Sequence, residues 1–200
     1  MLTTLYCDAS FCPVTLAGGW AVWLRSNSGR IVESGKTPEY VVNSNDAELS
    51  AIFAGIYRAV TQWSETEAIL VRSDCQSALA QMEDPSRAYQ PETRKLATKI
   101  RKLREKHNVK LISRWVKGHQ KVAKTDAWIN NQVDRMAGEQ MREQRKKATV
   151  AGLHRDTERQ NRTPVNCILR SEASGLAETV GKLHENWKQM LEEGEKPREP

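Results

Sequence analysis

Hydrophobic and polar positions change period along the chain, and each change marks an element. Residues 2–8 alternate and predict a strand that ends at Asp8. Residues 17–25 and 30–36 predict two more strands, joined by a turn at Asn27-Ser28-Gly29. From Asp46 the period lengthens: Leu49, Ile52, Phe53, Ile56, Val60 and Trp63 fall on one helical face. The apolar run Ala68-Ile69-Leu70-Val71 predicts a buried strand that Arg72-Ser73-Asp74 closes, and a short helix follows over 75–82. Pro91 opens a helix striped by Leu96, Ile100 and Leu103; residues 109–116 form a further strand, and a helix covers 127–144. Hairpin strands followed by βα units predict an α/β fold, a five-stranded mixed sheet with helices on both faces.

Past Lys147 the pattern loosens. Residues 148–173 are polar, contain Gly152 and Pro164, and predict a linker. Leu176, Val180, Leu183, Trp187 and Met190 then recur at spacings of three and four, which predicts one amphipathic helix. Residues 192–200 are expected to fray. The expected domains are thus 1–147, which carries the chemistry, and a 148–200 extension whose helix either packs back on the domain or meets a protein partner.

Charge adds a location for a partner. Residues 1–90 hold 6 basic and 10 acidic side chains, residues 91–150 hold 17 and 6, and residues 151–200 hold 8 and 9. The basic middle beside an acidic first part suits a polyanion bound next to a metal site. No apolar run reaches the roughly 18 residues of a membrane span, and the N-terminus lacks the pattern of a signal peptide. Cys7, Cys12, Cys75 and Cys167 show neither CxxC pairing nor zinc spacing, so free thiols in a reducing, cytoplasmic compartment are expected.

The chemistry rests on four acids: Asp8 at a strand end, Glu48 at a helix start, Asp74 at a second strand end, and Asp134 in the last helix. Taken singly, three have ordinary explanations. Asn45-Asp46-Ala47-Glu48 fits a capping box with Asn45 as N-cap, Asp74 fits an N-cap, and Asp134 fits a polar helix face. Together, four converging carboxylates require raised pKa values or divalent cations, and all-oxygen ligands favour Mg²⁺ or Mn²⁺.

The order of the surrounding segments narrows the reading. Leu5-Tyr6-Cys7-Asp8-Ala9-Ser10, Asn45-Asp46-Ala47-Glu48-Leu49, Ser73-Asp74-Cys75-Gln76, Trp115-Val116-Lys117-Gly118-His119 and Asn130-Asn131-Gln132-Val133-Asp134 occur in sequence. Residues 1–145 thereby resemble the type 1 ribonuclease H family, most specifically in the Trp115–His119 segment. That resemblance implies a ribonuclease H-like fold with Asp8, Glu48, Asp74 and Asp134 holding two Mg²⁺ ions. It implies hydrolysis of RNA paired with DNA to 5′-phosphate and 3′-hydroxyl ends, without a covalent intermediate. His119 is then expected to shuttle protons without binding metal. Asn45 and Gln76, with Ser44, are expected to contact nucleotides beside the cut, where the 2′-hydroxyl distinguishes RNA. Lys95, Lys99 and Lys102 on the basic helix, with Lys117, are expected along phosphates. A monomer acting on an RNA/DNA hybrid is the expected state.

Three departures from the family pattern stand out. The turn after Asp8 is Ala9-Ser10-Phe11-Cys12-Pro13 rather than glycine-rich, and the second basic helix of some bacterial members is absent. The stretch from His119 to Asp134 is long and contains Asp126, an alternative fourth ligand, although Asn-Asn-Gln-Val-Asp-Arg-Met-Ala favours Asp134. The same fold also serves junction resolvases, transposases and integrases, and a hybrid-binding module without turnover is a further alternative.

Overall fold

A computed structural model describes residues 1–118 and 125–160, with side-chain surroundings through residue 147. The chain divides into two compact units, Met1–Asp156 and Thr157–Pro200. The elements run β1 (Leu2–Cys12), β2 (Ala17–Ser26), β3 (Gly29–Lys36), α1 (Ser44–Gln62), β4 (Ala68–Ser73), α2 (Gln76–Glu83), a 3₁₀ turn Pro85–Arg87, α3 (Pro91–Lys106), β5 (Lys110–Trp115) and α4 (Thr125–Gln160). All lie in the first unit except the final four residues of α4. Among the described residues no helix is long and apolar enough to cross a membrane.

The sheet order is β3-β2-β1-β4-β5. β2 is antiparallel to both β1 and β3, and β1, β4 and β5 are mutually parallel. The five-stranded mixed sheet expected from the sequence is therefore present. Strand alternation sends successive side chains of β1 to opposite faces. Leu5 is fully buried toward α1, where a Cβ on Gly55 would meet Leu5 Cδ1 at 2.4 Å. Tyr6 turns the other way and packs with Ala21, Ile129, Val133 and Ala137, the last three from α4. At Gly19 of β2 the backbone of α4 lies directly against the sheet, since a Cβ there would lie 2.3 Å from the Ala137 carbonyl oxygen. The two sheet faces thus carry separate helical layers. Leu49, Ile52 and Ile56 of α1 are fully buried, each worth about 1.5–3 kcal/mol on transfer from water.

Three boundaries differ from the sequence expectation. β1 continues past Asp8 to Cys12, because β2 pairs with it throughout, down to Cys12↔Ala17. α1 starts two residues early, at Ser44. α4 runs unbroken to Gln160 instead of yielding to a linker at residue 148. Ala148, Ala151, Leu153, Arg155, Glu158, Arg159 and Gln160 are good helix formers, and the single Gly152 costs the helix only about 1 kcal/mol. The helix expected around Leu176–Met190 and the thiol of Cys167 lie outside the described residues.

Candidate active site

β1 and β4 stay paired only as far as Tyr6↔Arg72. β1 goes on alone beside β2, so a notch opens where Asp8 and Asp74 stand, two positions beyond that last pair. The strand order also reverses direction of travel between β1 and β4, the place where open α/β sheets leave a crevice at strand ends.

The capping pattern at α1 releases Glu48 from its ordinary explanation. Asn43, not Asn45, is the N-cap: its Oδ1 accepts from the Asp46 amide at 2.8 Å, and its Nδ2 donates to Asp46 Oδ2 at 2.8 Å. Asp46 is buried, and its Oδ1 also accepts from Thr93 Oγ1 of α3 at 2.6 Å. That contact across helices favours the earlier start, since Asp46 then meets both the Asn43 cap and α3. Glu48 lies beyond the first turn, toward the notch. Asp74 is likewise not a cap, because the N-cap position of α2 is Cys75.

One carboxylate oxygen from each of Asp8, Glu48 and Asp74 lies within 4.8 Å of the others. Burial first, then the charges of Asp74 and Asp134, pushes the Asp8 carboxyl up to about 8. Burial first, then Asp8 and Asp74, pushes Glu48 up to about 9; the Ala9 amide opposes both rises. Asp134 joins the group from α4 through a side-chain hydrogen bond with Asp8. Glu48 Oε2 is buried without a hydrogen-bond partner among the described residues. A buried oxygen lacking a donor, beside three other acids, is an arrangement a hard divalent cation satisfies and water-free protein does not. The donor set fits Mg²⁺ or Mn²⁺.

The Trp115–Gly118 segment is fastened over this site. Trp115 Nε1 donates to the Asp74 carbonyl at 3.0 Å, and the Val116 amide donates to the Ser73 carbonyl at 3.0 Å. A Cβ on Gly118 would sit 2.3 Å from Asp74 Oδ2, so any larger residue there has to push the Asp74 carboxylate aside. His119 follows next and lies outside the described residues. Trp115 and Gly118 were visible as motif members, yet their contacts with Asp74 had no local sequence signal.

The residues expected to contact substrate lie on α1, α2 and α3 and just after β5. Ser44 and Gln76 are exposed at the first positions of α1 and α2. Asn45 bridges those helices, donating to Gln81 Oε1 at 2.7 Å and accepting from Ser77 Oγ at 2.7 Å. Lys95 pairs with Glu92 at 3.1 Å, and Lys99 Nζ stands 5.5 Å from the Tyr40 ring centre. Lys102 and Lys117 are exposed. Cys7 is a buried free thiol, its ionisation disfavoured by burial and then by Glu48. Cys12 and Cys75 are also unbridged.

The RNase H family profile matches residues 2–142. The chain belongs to the RNase H family. Solved RNase H structures share the fold at low identity. The N-terminal RNase H domain of Rv2228c from Mycobacterium tuberculosis, solved as a maltose-binding-protein fusion, is 20% identical with TM-score 0.56, covering 74% of this chain and 98% of that one. RNase H1 from the archaeon Halobacterium salinarum is 19% identical with TM-score 0.54, covering 72% and 99%. LC11-RNase H1, isolated from compost by a metagenomic approach, is solved in complex with an RNA/DNA hybrid; it is 14% identical with TM-score 0.58, covering 70% and 97%. No curated protein matches the sequence significantly. This RNase H is a nuclease of the hydrolase class by family, with the acids of the notch as its catalytic candidates.

Proposed function

We propose that this RNase H cuts the RNA strand of RNA/DNA hybrids internally, leaving 5′-phosphate and 3′-hydroxyl ends, with two Mg²⁺ ions held by Asp8, Glu48, Asp74 and Asp134. Mn²⁺ is expected to substitute. The convergence of Asp8, Glu48 and Asp74, one buried oxygen unpartnered, carries this reading. The hybrid bound by LC11-RNase H1 supports the choice of substrate.

The protein's own contribution is to hold four acids in a notch where a cation offsets the repulsion and burial that otherwise favour their protonated forms. When bound, the ions supply Lewis-acid stabilisation of charge at the phosphorus and a water of lowered pKa. His119 carries a proton away from or toward the reacting oxygens, a task an imidazole's near-neutral pKa suits. Ser44, Asn45 and Gln76 meet the strand beside the cut, with amide groups able to donate to and accept from a 2′-hydroxyl. Lys95, Lys99, Lys102 and Lys117 contact phosphates, which positions the duplex without reading its sequence.

The test is cleavage with Mg²⁺ of labelled RNA/DNA hybrid, double-stranded DNA, four-way junction and double-stranded RNA. Hybrid cleavage alone is expected. Junction cleavage with hybrid left intact refutes the substrate, and hybrid binding without cutting refutes catalysis.

A further inference from the structure

We infer that Asp126 is a positioning residue: with Tyr6 and Arg72 it clamps the first turn of α4 to the sheet and thereby sets where Asp134 stands against Asp8. The inference rests on the proposed function, because it concerns the same acids.

Both carboxylate oxygens of Asp126 are engaged. The Tyr6 hydroxyl donates to Oδ1 and the Arg72 guanidinium to Oδ2. The same guanidinium lies over the Tyr6 ring, 5.1 Å from its centre, and the Arg72 side chain is only 13% exposed. One charge-assisted bond from Arg72 Nη1 and one hydrogen bond from the Tyr6 hydroxyl, on different oxygens, together limit how the carboxylate can shift or turn. Asp126 therefore faces the clamp, while the acids that raise Asp8 are Asp74 and Asp134. The long stretch before Asp134 supplies an anchor, not a substitute ligand.

The clamp adjoins the acid site and draws on three of its four segments, β1, β4 and α4, while α1 supplies only Glu48. Tyr6 is two positions before Asp8 on β1, and its register partner Arg72 is two positions before Asp74. Asp126 is eight positions before Asp134 on α4. Eight residues advance a helix about 12 Å and turn it about 80° past two full turns. With the start of α4 pinned, Asp134 falls at the edge of the stripe formed by Ile129, Val133 and Ala137. Those apolar contacts, with Trp128 edge-on to Trp23 at 5.5 Å, keep the helix on the sheet. They are non-directional and tolerate a small slide or roll. The far end is tied separately, where the Gly18 amide donates to Gln144 Oε1 at 2.7 Å.

The experiment compares wild type, Asp126→Asn and Tyr6→Phe in the full chain. Mn²⁺ affinity is measured by calorimetry without substrate, hybrid cleavage across a Mg²⁺ titration, and thermal unfolding beside both. Asp126→Asn is expected to weaken Mn²⁺ binding roughly tenfold, the scale of lost outer contacts to metal ligands. The Mg²⁺ needed for half-maximal cleavage should rise with it and kcat should fall, with KM for the hybrid unchanged. Tyr6→Phe, which keeps the ring and loses one hydrogen bond, should move the same quantities by a smaller factor. Variants that melt earlier yet bind Mn²⁺ like wild type overturn the inference, because the clamp would then serve stability alone. Should Asp126→Asn fail to fold, Tyr6→Phe decides by the same criterion. If wild type binds Mn²⁺ but does not cut hybrid, the proposed function fails, and the Mn²⁺ comparison still decides the clamp.

Discussion

Replacing Asp8 by Asn is expected to stabilise the metal-free protein while abolishing hybrid cleavage. Burial, Asp74 and Asp134 raise the Asp8 carboxyl from 3.8 to about 8. A group raised on folding contributes stability that is full below its unfolded pKa and lost as pH rises through the folded one. For Asp8 that loss spans pH 4 to 8, and Glu48, raised to about 9, adds to it up to pH 9. At 1.4 kcal/mol for each tenfold change in proton affinity, the rise of Asp8 sets a ceiling of about 6 kcal/mol. Water entering as the acids ionise relieves part of this, so we expect on the order of 3 kcal/mol at pH 8. For a domain of this size that is roughly 6–12 °C in Tm.

Asn keeps the shape and has no charge to lose. The assay is thermal unfolding in EDTA from pH 4 to 9, with and without added Mg²⁺. Wild type should lose Tm steadily above pH 5 relative to Asp8→Asn, and Mg²⁺ should restore wild type far more than the variant. Asp126, lowered chiefly by the Tyr6 hydrogen bond, acts in the opposite sense, losing its contribution as pH falls. It is common to both proteins, so it cancels in their difference. An Asp8→Asn protein less stable than wild type in EDTA at pH 8, or a pH-independent difference, refutes the reasoning.

Gly118→Ala should weaken Mg²⁺ dependence and kcat about tenfold, since the new Cβ points at Asp74 Oδ2 from 2.3 Å; unchanged kinetics would show that the segment yields freely. Asn43→Ala should lower stability by about 1 kcal/mol in denaturant unfolding, with Mn²⁺ affinity unchanged, whereas Asn45→Ala should leave the helix cap intact. Lys102→Ala should reduce the slope of log affinity against log salt by about 1 for hybrid binding; an unchanged slope removes this lysine from the phosphate track.

The strand and helix pattern was legible because it reflects local physics. Alternation marks a half-buried strand, and a three-to-four spacing marks a helix that buries one face. The acids were legible as a set because Trp-Val-Lys-Gly-His and four other segments follow in order. What hid behind local equivalence was the cap: Asn43 and Asn45 are equally good N-cap residues. Contacts distant in sequence separate them: Thr93 reaches the buried Asp46 carboxylate beside Asn43, and Gln81 and Ser77 of α2 engage the Asn45 side chain. That choice removes Glu48 from a capping role and turns it toward the notch.

The length of β1 was hidden for a similar reason, since pairing with β2 and not the strand's own composition carries it to Cys12. Asp126 and Asp134 posed the same difficulty. The Asn130–Ala137 pattern favours Asp134 as the acid that meets Asp8, but nothing near either acid tells what Asp126 does instead. The answer lies in Tyr6 and Arg72, 120 and 54 positions away in the chain, whose grip on Asp126 leaves Asp134 for the site. The kinds and order of the elements, the family and the class of chemistry are written in residue type and order, and so could be read from them. Only the folded chain shows which acids stand together and which is held apart. Hydrogen-bond partners far apart in sequence settle that, and local pattern carries no record of them.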